Sequence, residues 1–308
     1  MDRPRFVIEA AEAESFAQKS GLTIHQLLPT LVKSAKTLAR PPISNYHVGA
    51  VGLGSSGRIF FGGNIEFPGL PLHHSVHAEQ FLVTNLILNA EPRLQCFAVS
   101  SAPCGHCRQF LQEIRNSSDI KICVTSSDEN TKQQQEDHGC NYYTLSHFLP
   151  DRFGPDDLLE KDVPLILETH QNGLSFVSDN DDDGGYDKCC NGEASESLKF
   201  AALEAANKSH APYSKCPSGV AIMDSEGKVY KGSYMESAAY NPSLGPVQAA
   251  LVAYVASGNG GGYERIVDAV LVEKEGAVVR QEHTARLLLQ VISPKCQFKV
   301  FHCKRASF

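Results

Sequence analysis

The chain repeats itself. At a spacing of 170 residues, Pro42 matches Pro212, Ser44 matches Ser214 and Gly49 matches Gly219. Gly57, Gly62 and Glu66 then match Gly227, Gly232 and Glu236. At a spacing of 178, Arg108, Leu111, Gln112 and Ile114 match Arg286, Leu289, Gln290 and Ile292. Identities that hold one register over dozens of residues indicate duplication of a single fold. Glycines dominate the shared positions, as expected where two backbones turn at the same places. A length of 308 residues suits about two domains.

Hydrophobic spacing places the elements. Over residues 6–39 the pattern is helical, with Leu27, Leu28, Leu31, Val32, Ala35 and Leu38 on one face, until Pro41-Pro42 ends it. Residues 48–66 read as a hairpin around Ser55-Ser56-Gly57, residues 77–88 as a helix, and residues 95–100 as a buried strand that turns at Pro103 into a further helix. The polar stretch 126–139 reads as an exposed insertion. The stretch 178–196, with Asp181-Asp182-Asp183-Gly184-Gly185, reads as a flexible acidic linker. The expected division is a helical N-terminal segment at 1–35, a first domain at 36–165, a linker with the acidic stretch at 166–196 and the repeat at 197–308.

Charge and cysteine usage exclude several classes. With 28 Lys+Arg against 35 Asp+Glu, the net charge is −7, which disfavours a polynucleotide binder, since such proteins cluster Lys and Arg against phosphate. No run of about 18 apolar residues is present, so no membrane span is expected. The first residues carry no apolar run behind their basic residues, so no secretory signal is expected. Ten cysteines are too few for a disulfide scaffold. They are read as core thiols or metal ligands in a reduced, cytosolic protein.

The sharpest local signal is His77-Ala78-Glu79 followed by Pro103-Cys104-Gly105-His106-Cys107. Zinc favours nitrogen and thiolate ligands in a tetrahedral arrangement. Cys104 and Cys107, three apart at a helix start, can face one ion, and the helix dipole favours their thiolate form. His77 supplies the third ligand, and Zn²⁺ is expected once per chain. Three protein ligands leave a position for water, the mark of a catalytic site rather than a structural one. Glu79, two residues beyond His77, can take a proton from that water and pass it on. His73 and His74 are alternative donors, and Cys189-Cys190 is a further cysteine pair in the acidic stretch. At the two repeat spacings, Val247 and Ala249 stand opposite His77 and Glu79, and Glu282 and Ala285 opposite Cys104 and Cys107. The second copy has therefore lost every ligand together with the proton carrier.

These motifs resemble a known family. His-x-Glu followed by Pro-Cys-x-x-Cys is the pattern of zinc deaminases that act on nucleobases. The segments Asn45-Tyr46-His47-Val48-Gly49-Ala50, Gly63-Asn64-Ile65-Glu66-Phe67, Pro103 to Phe110, Arg152 to Leu158 and Pro212-Tyr213-Ser214-Lys215 are similar to those of the large homodimeric cytidine deaminases, of the plant type. The resemblance implies an α/β fold of duplicated three-layer domains, each a mixed sheet packed with helices, after a short helical N-terminal segment. It implies hydrolysis of cytidine and deoxycytidine to uridine and deoxyuridine with release of ammonia, in pyrimidine salvage. By the same resemblance, Asn64, Ile65, Glu66, Tyr46 and Ala78 contact the nucleoside. Asn64 and Glu66 hold the sugar 3′-hydroxyl, and Tyr46 stacks on the base. Phe153, Ala239 and Tyr240 match positions that complete the pocket of a partner subunit, so a homodimer is implied. A carboxylate at Glu66 that needs a free 3′-hydroxyl disfavours internal nucleotides of RNA or DNA.

Overall fold

A computed structural model describes residues 5–125, 140–177, 192–258 and 261–305. The expected insertion at 126–139 and the acidic stretch as far as residue 191 lie outside them. By contacts the chain divides into two units. The first is Met1–Glu168 with Ser237–Ser243 and Val255–Gly260, and the second is Thr169–Glu236, Leu244–Tyr254 and Gly261–Phe308.

The first unit opens with a two-residue strand, β1 (Val7–Ile8), where helical spacing had been expected. Its backbone pairs with the edge of β3 (Ile59–Gly63), which overrides the local pattern. Helices α1 (Ala10–Ser20) and α2 (Ile24–Lys36) follow. Thr23 caps α2, accepting from the Gln26 amide while the Gln26 side chain accepts from the Thr23 amide. The sheet continues with β2 (Gly49–Gly54), β4 (Leu94–Val99), β5 (Lys121–Val124) and β6 (Tyr142–Thr144), in the order β1-β3-β2-β4-β5-β6. All pairings are antiparallel except β4 with β5. Helix α3 (Ala78–Leu88) lies between β3 and β4, and helix α4 (Gly105–Phe110) makes the crossover between β4 and β5. Two single-turn helices, α5 (Leu145–Phe148) and α6 (Pro155–Leu158), close the unit. The β5–β6 pairing sets Cys123 opposite Tyr142 and brings Cys140 beside it; the two cysteines form a disulfide with Cα atoms 6.1 Å apart. This corrects the reading of all cysteines as free thiols or ligands.

The second unit contains β7 (Leu174–Phe176), α7 (Gly192–Asn207), β8 (Ser218–Asp224), β9 (Val229–Ser233), α8 (Pro246–Ala256), β10 (Ile266–Lys274), α9 (Glu282–Ile292) and β11 (Gln297–Arg305). Its sheet runs β7-β11-β10-β8-β9, with β10 and β11 parallel. Strand β7 falls inside the stretch read as linker, and the last residues of that stretch begin α7. The α7 side chains Leu198, Ala202 and Ala206 pack on Ala221, Val270, Val272 and Cys303. Two mixed sheets packed with helices, built twice from one pattern, make this an α/β fold of duplicated domains.

The duplication is visible in register. Gly49 pairs with Gly63 and Ala50 with Gly62 in the first sheet; Gly219 pairs with Ser233 and Val220 with Gly232 in the second. The shared glycines serve two purposes. Gly57 and Gly227 have φ of +83° and +79°, the left-handed turn conformation that glycine accepts freely. Gly62 and Gly232 instead allow a helix to touch the sheet. A Cβ on Gly62 would fall on the Ala78 carbonyl oxygen and 2.8 Å from the Leu82 nitrogen, and one on Gly232 on the equivalent atoms of Pro246 and Ala250. Gly62→Ala is therefore expected to push α3 off β3 and cost about 3 kcal/mol. Chemical denaturation of the purified variant measures this, and an unchanged midpoint would refute the close-packing account.

Structure also corrects the repeat alignment. The bridges Arg40↔Ile65 and Ile65↔Val76 recur as His210↔Met235 and Met235↔Leu244. The connection after the shared glutamate is thus two residues shorter in the second copy, and the spacing falls from 170 to 168 beyond it. Phe81 N–H donates to the His77 carbonyl, and Ala249 N–H donates to the Gly245 carbonyl. Gly245, not Val247, stands where His77 stands, and Val247, not Ala249, stands where Glu79 stands. At the start of α9, Gln281 occupies the N-cap that Cys104 holds on α4, and α9 carries no cysteine. The metal site is absent from the second copy under either alignment.

Candidate active site

Two helix N-termini build the site. His77 is the N-cap of α3, with extended backbone at φ −79° and ψ 157°, and Cys104 is the N-cap of α4, at φ −70° and ψ 170°. Cys107 lies in the first turn of α4 and is fully buried. The Cys107 and Cys104 sulfurs lie 3.2 and 3.5 Å from His77 Nδ1. The three ligand atoms fall within 4.8 Å of one another, the one such cluster among the described residues. A tetrahedral zinc ion holds a nitrogen and a sulfur ligand about 3.6 Å apart, so the donor set fits the ion in type and in spacing. Neither His73 nor His74 belongs to the cluster; the two rings pack on each other at 4.4 Å. Cys189 and Cys190 lie outside the described residues.

The electrostatics match the packing. The Cys104 thiol is pulled down to about 3 by hydrogen bonds from Cys107 and His77. Cys107 is pushed up by its hydrogen bond with Cys104 and by burial. The His77 ring is raised, chiefly by its hydrogen bond with Cys104, with smaller contributions from the Glu79 and Glu66 charges. Glu79 sits in the first turn of α3, only 4% exposed, and burial raises its carboxyl above the ordinary range. An acid with a raised pKa beside a metal cluster is a common feature of proton-transfer sites.

The remaining expected residues form a second group. Asn64 ties the loop before β2: its Oδ1 accepts from the Val48 amide at 2.9 Å and its Nδ2 donates to the Tyr46 carbonyl at 3.0 Å. Tyr46 leaves its ring 54% exposed and anchors its hydroxyl on Ser101 at 2.7 Å. Ile65 and Ala78 are fully buried backbone neighbours of this group. Glu66 accepts from the Ile43 and Ser44 amides, both at 2.9 Å, and from the Ser44 hydroxyl. Burial opposes its charge, but these hydrogen bonds outweigh burial and hold the carboxyl below the usual range. Phe153 and Tyr240 are exposed by 45% and 69%, and Ala239 is exposed beside Tyr240.

Sequence reasoning missed Ser44. The second copy repeats its clasp: Glu236 accepts from the Tyr213 and Ser214 amides and from the Ser214 hydroxyl. The signal was present, because both members of the pair recur at one spacing. The clasp persists where no ligand survives, so it belongs to the fold, whereas Asn64, replaced by Tyr234, does not recur.

The family model described as "Cytidine and deoxycytidylate deaminase zinc-binding region" matches residues 22–124 and a second model of the same description matches residues 145–286. "Cytidine deaminase 1" of Arabidopsis thaliana is 64% identical over 99% of this chain and 100% of its own. "Cytidine deaminase 7" of the same plant is 51% identical over 98% of this chain and 95% of its own. A crystal structure of cytidine deaminase from Mycobacterium tuberculosis is 29% identical over 42% of this chain and 97% of its own, with a TM-score of 0.35. A zinc-type donor set on two helix N-termini, a buried acid beside it, and identity of this extent along the whole length give one conclusion: the chain belongs to the cytidine deaminase family.

Proposed function

We propose that this protein hydrolyses free cytidine and deoxycytidine to uridine and deoxyuridine with release of ammonia, as a cytosolic enzyme of pyrimidine salvage. The observation that carries this reading is the convergence of His77, Cys104 and Cys107 beside the buried carboxyl of Glu79. When bound by these three residues, zinc supplies Lewis-acid activation of water.

The chain's own groups supply the rest. Glu79 takes a proton from the attacking water and gives it to N3 of the ring, which makes C4 electrophilic. Once the new C4–O bond has formed, Glu79 takes the second proton, from the hydroxyl now on C4, and passes it to the amine, so that the C4–N4 bond breaks, the C4 carbonyl forms and ammonia leaves. The glutamate ends in its starting state. Tyr46 offers a half-exposed ring face for the base. Glu66 has spent three of about four acceptor positions on Ile43 and Ser44, which leaves one for a sugar 3′-hydroxyl. Asn64 keeps one amide hydrogen beyond the one given to Tyr46. Phe153, Ala239 and Tyr240 complete a partner's pocket in a homodimer, and their exposure in the single chain supports that role.

Incubation of pure protein with cytidine, deoxycytidine, their 5′-monophosphates and a short oligonucleotide, with ammonia as the readout, tests the reading. Both nucleosides are expected to react and the oligonucleotide to be inert, since a 3′-phosphate removes the donor that Glu66 accepts and adds like charge. Deamination inside the oligonucleotide, or none of either nucleoside, would overturn it.

A further inference from the structure

The second copy retains no ligand, yet one of its loops belongs to the catalytic unit. By contacts Ser237–Ser243 groups with the first unit, and two buried hydrogen bonds hold it there. Glu113, fully buried after α4, accepts from the Ala238 amide at 2.7 Å. Gln80, 1% exposed on α3, donates through Nε2 to the Pro242 carbonyl at 3.2 Å. The other end of the same Gln80 amide faces the metal ligand: Oε1 accepts from the His77 backbone N–H at 3.2 Å. Nε2 also lies 3.1 Å from His106 Nε2, on the residue between the two cysteines. One side chain thus links the loop, the backbone of the histidine ligand and the helix that carries both thiolates.

The second copy keeps a glutamine at the same position. There Gln248 takes the place of Gln80, and its Oε1 fills the space that a Cβ would take on Gly245, the equivalent of His77. In the catalytic copy the same position bonds both the His77 amide and a carbonyl of the Ser237–Ser243 loop.

We propose that the Ser237–Ser243 loop, clamped by Glu113 and Gln80, is a positioning element of the metal centre that fixes His77 through the Gln80 amide. The inference rests on reading His77, Cys104 and Cys107 as a zinc site. It gives the ligand-free copy a reason to be kept: its loop bonds Gln80 and Glu113 of the catalytic unit. Groups that orient metal ligands typically change metal affinity or activity by roughly 10–100-fold when altered.

The test uses the full-length, zinc-loaded chain and its rate of zinc release to a chromogenic chelator, with kcat and KM for cytidine measured beside it. Gln80→Glu keeps the acceptor for His77 but cannot donate to Pro242. It is expected to release zinc about tenfold faster and to lose kcat with little change in KM. Glu113→Leu removes the acceptor for Ala238 and is expected to do the same, while Glu113→Gln, which keeps an acceptor oxygen, restores slow release. Wild-type release from folded Gln80→Glu would overturn the proposal even if Glu113→Leu fails to fold. A wild-type chain that binds no zinc would instead overturn the reading of the site.

Discussion

Glu79→Gln is expected to leave zinc in place and lower kcat for cytidine by about 10²–10⁴-fold, the range that a positioned proton carrier contributes. The substitution is nearly isosteric, and Glu79 makes no contribution to the ligand set of His77, Cys104 and Cys107. Its side chain is buried in the first turn of α3, where glutamine fills the same space but cannot take up or release a proton in the working pH range. Metal analysis and steady-state kinetics on one preparation separate the effects. Full zinc with collapsed turnover supports the proton-carrier role. Near-normal turnover would show that the proton moves through another group, and lost zinc would show that Glu79 helps to hold the metal.

Short-range chemistry was legible in the sequence, and long-range geometry was not. The cluster could be read because its two motifs each sit at a helix start, where the N-cap position dictates that the side chains of His77 and Cys104 point out of the helix end. The duplication could be read because turn and packing glycines recur. The alignment failed by two residues beyond Glu236, since a shortened loop leaves the helix pattern intact on either side and apolar α8 offers no landmark within itself. Gly62 was legible as shared but not as a contact surface, because only the fold shows α3 lying on it. Strand β1 defeated the helical pattern for a similar reason: its pairing partner is more than fifty residues away. The Gln80–Pro242 bond joins residues 162 apart, and no local pattern announces such a pair.

Cys107→Ser is expected to lower zinc content from about one per chain to near zero and to bring deamination to background. A serine oxygen at neutral pH stays protonated and binds zinc poorly, whereas the pair of thiolates balances the ion's charge. The expected loss exceeds the roughly 10–100-fold that groups behind the ligands cost. The bland alternative is that Cys107, fully buried, is an ordinary core thiol whose replacement only loosens packing. Cys303 tests that alternative, because it is equally buried, in the core beneath α7, and burial pushes its thiol up to about 11. Cys303→Ser is expected to reduce stability by about 1–3 kcal/mol, the cost of burying a hydroxyl without a partner, while zinc content stays near one. Thermal melting and metal analysis of both variants read the two quantities independently. If Cys107→Ser keeps its zinc, or if Cys303→Ser loses it to the same extent, the sulfur at Cys107 is not a ligand and the three-residue metal centre cannot stand.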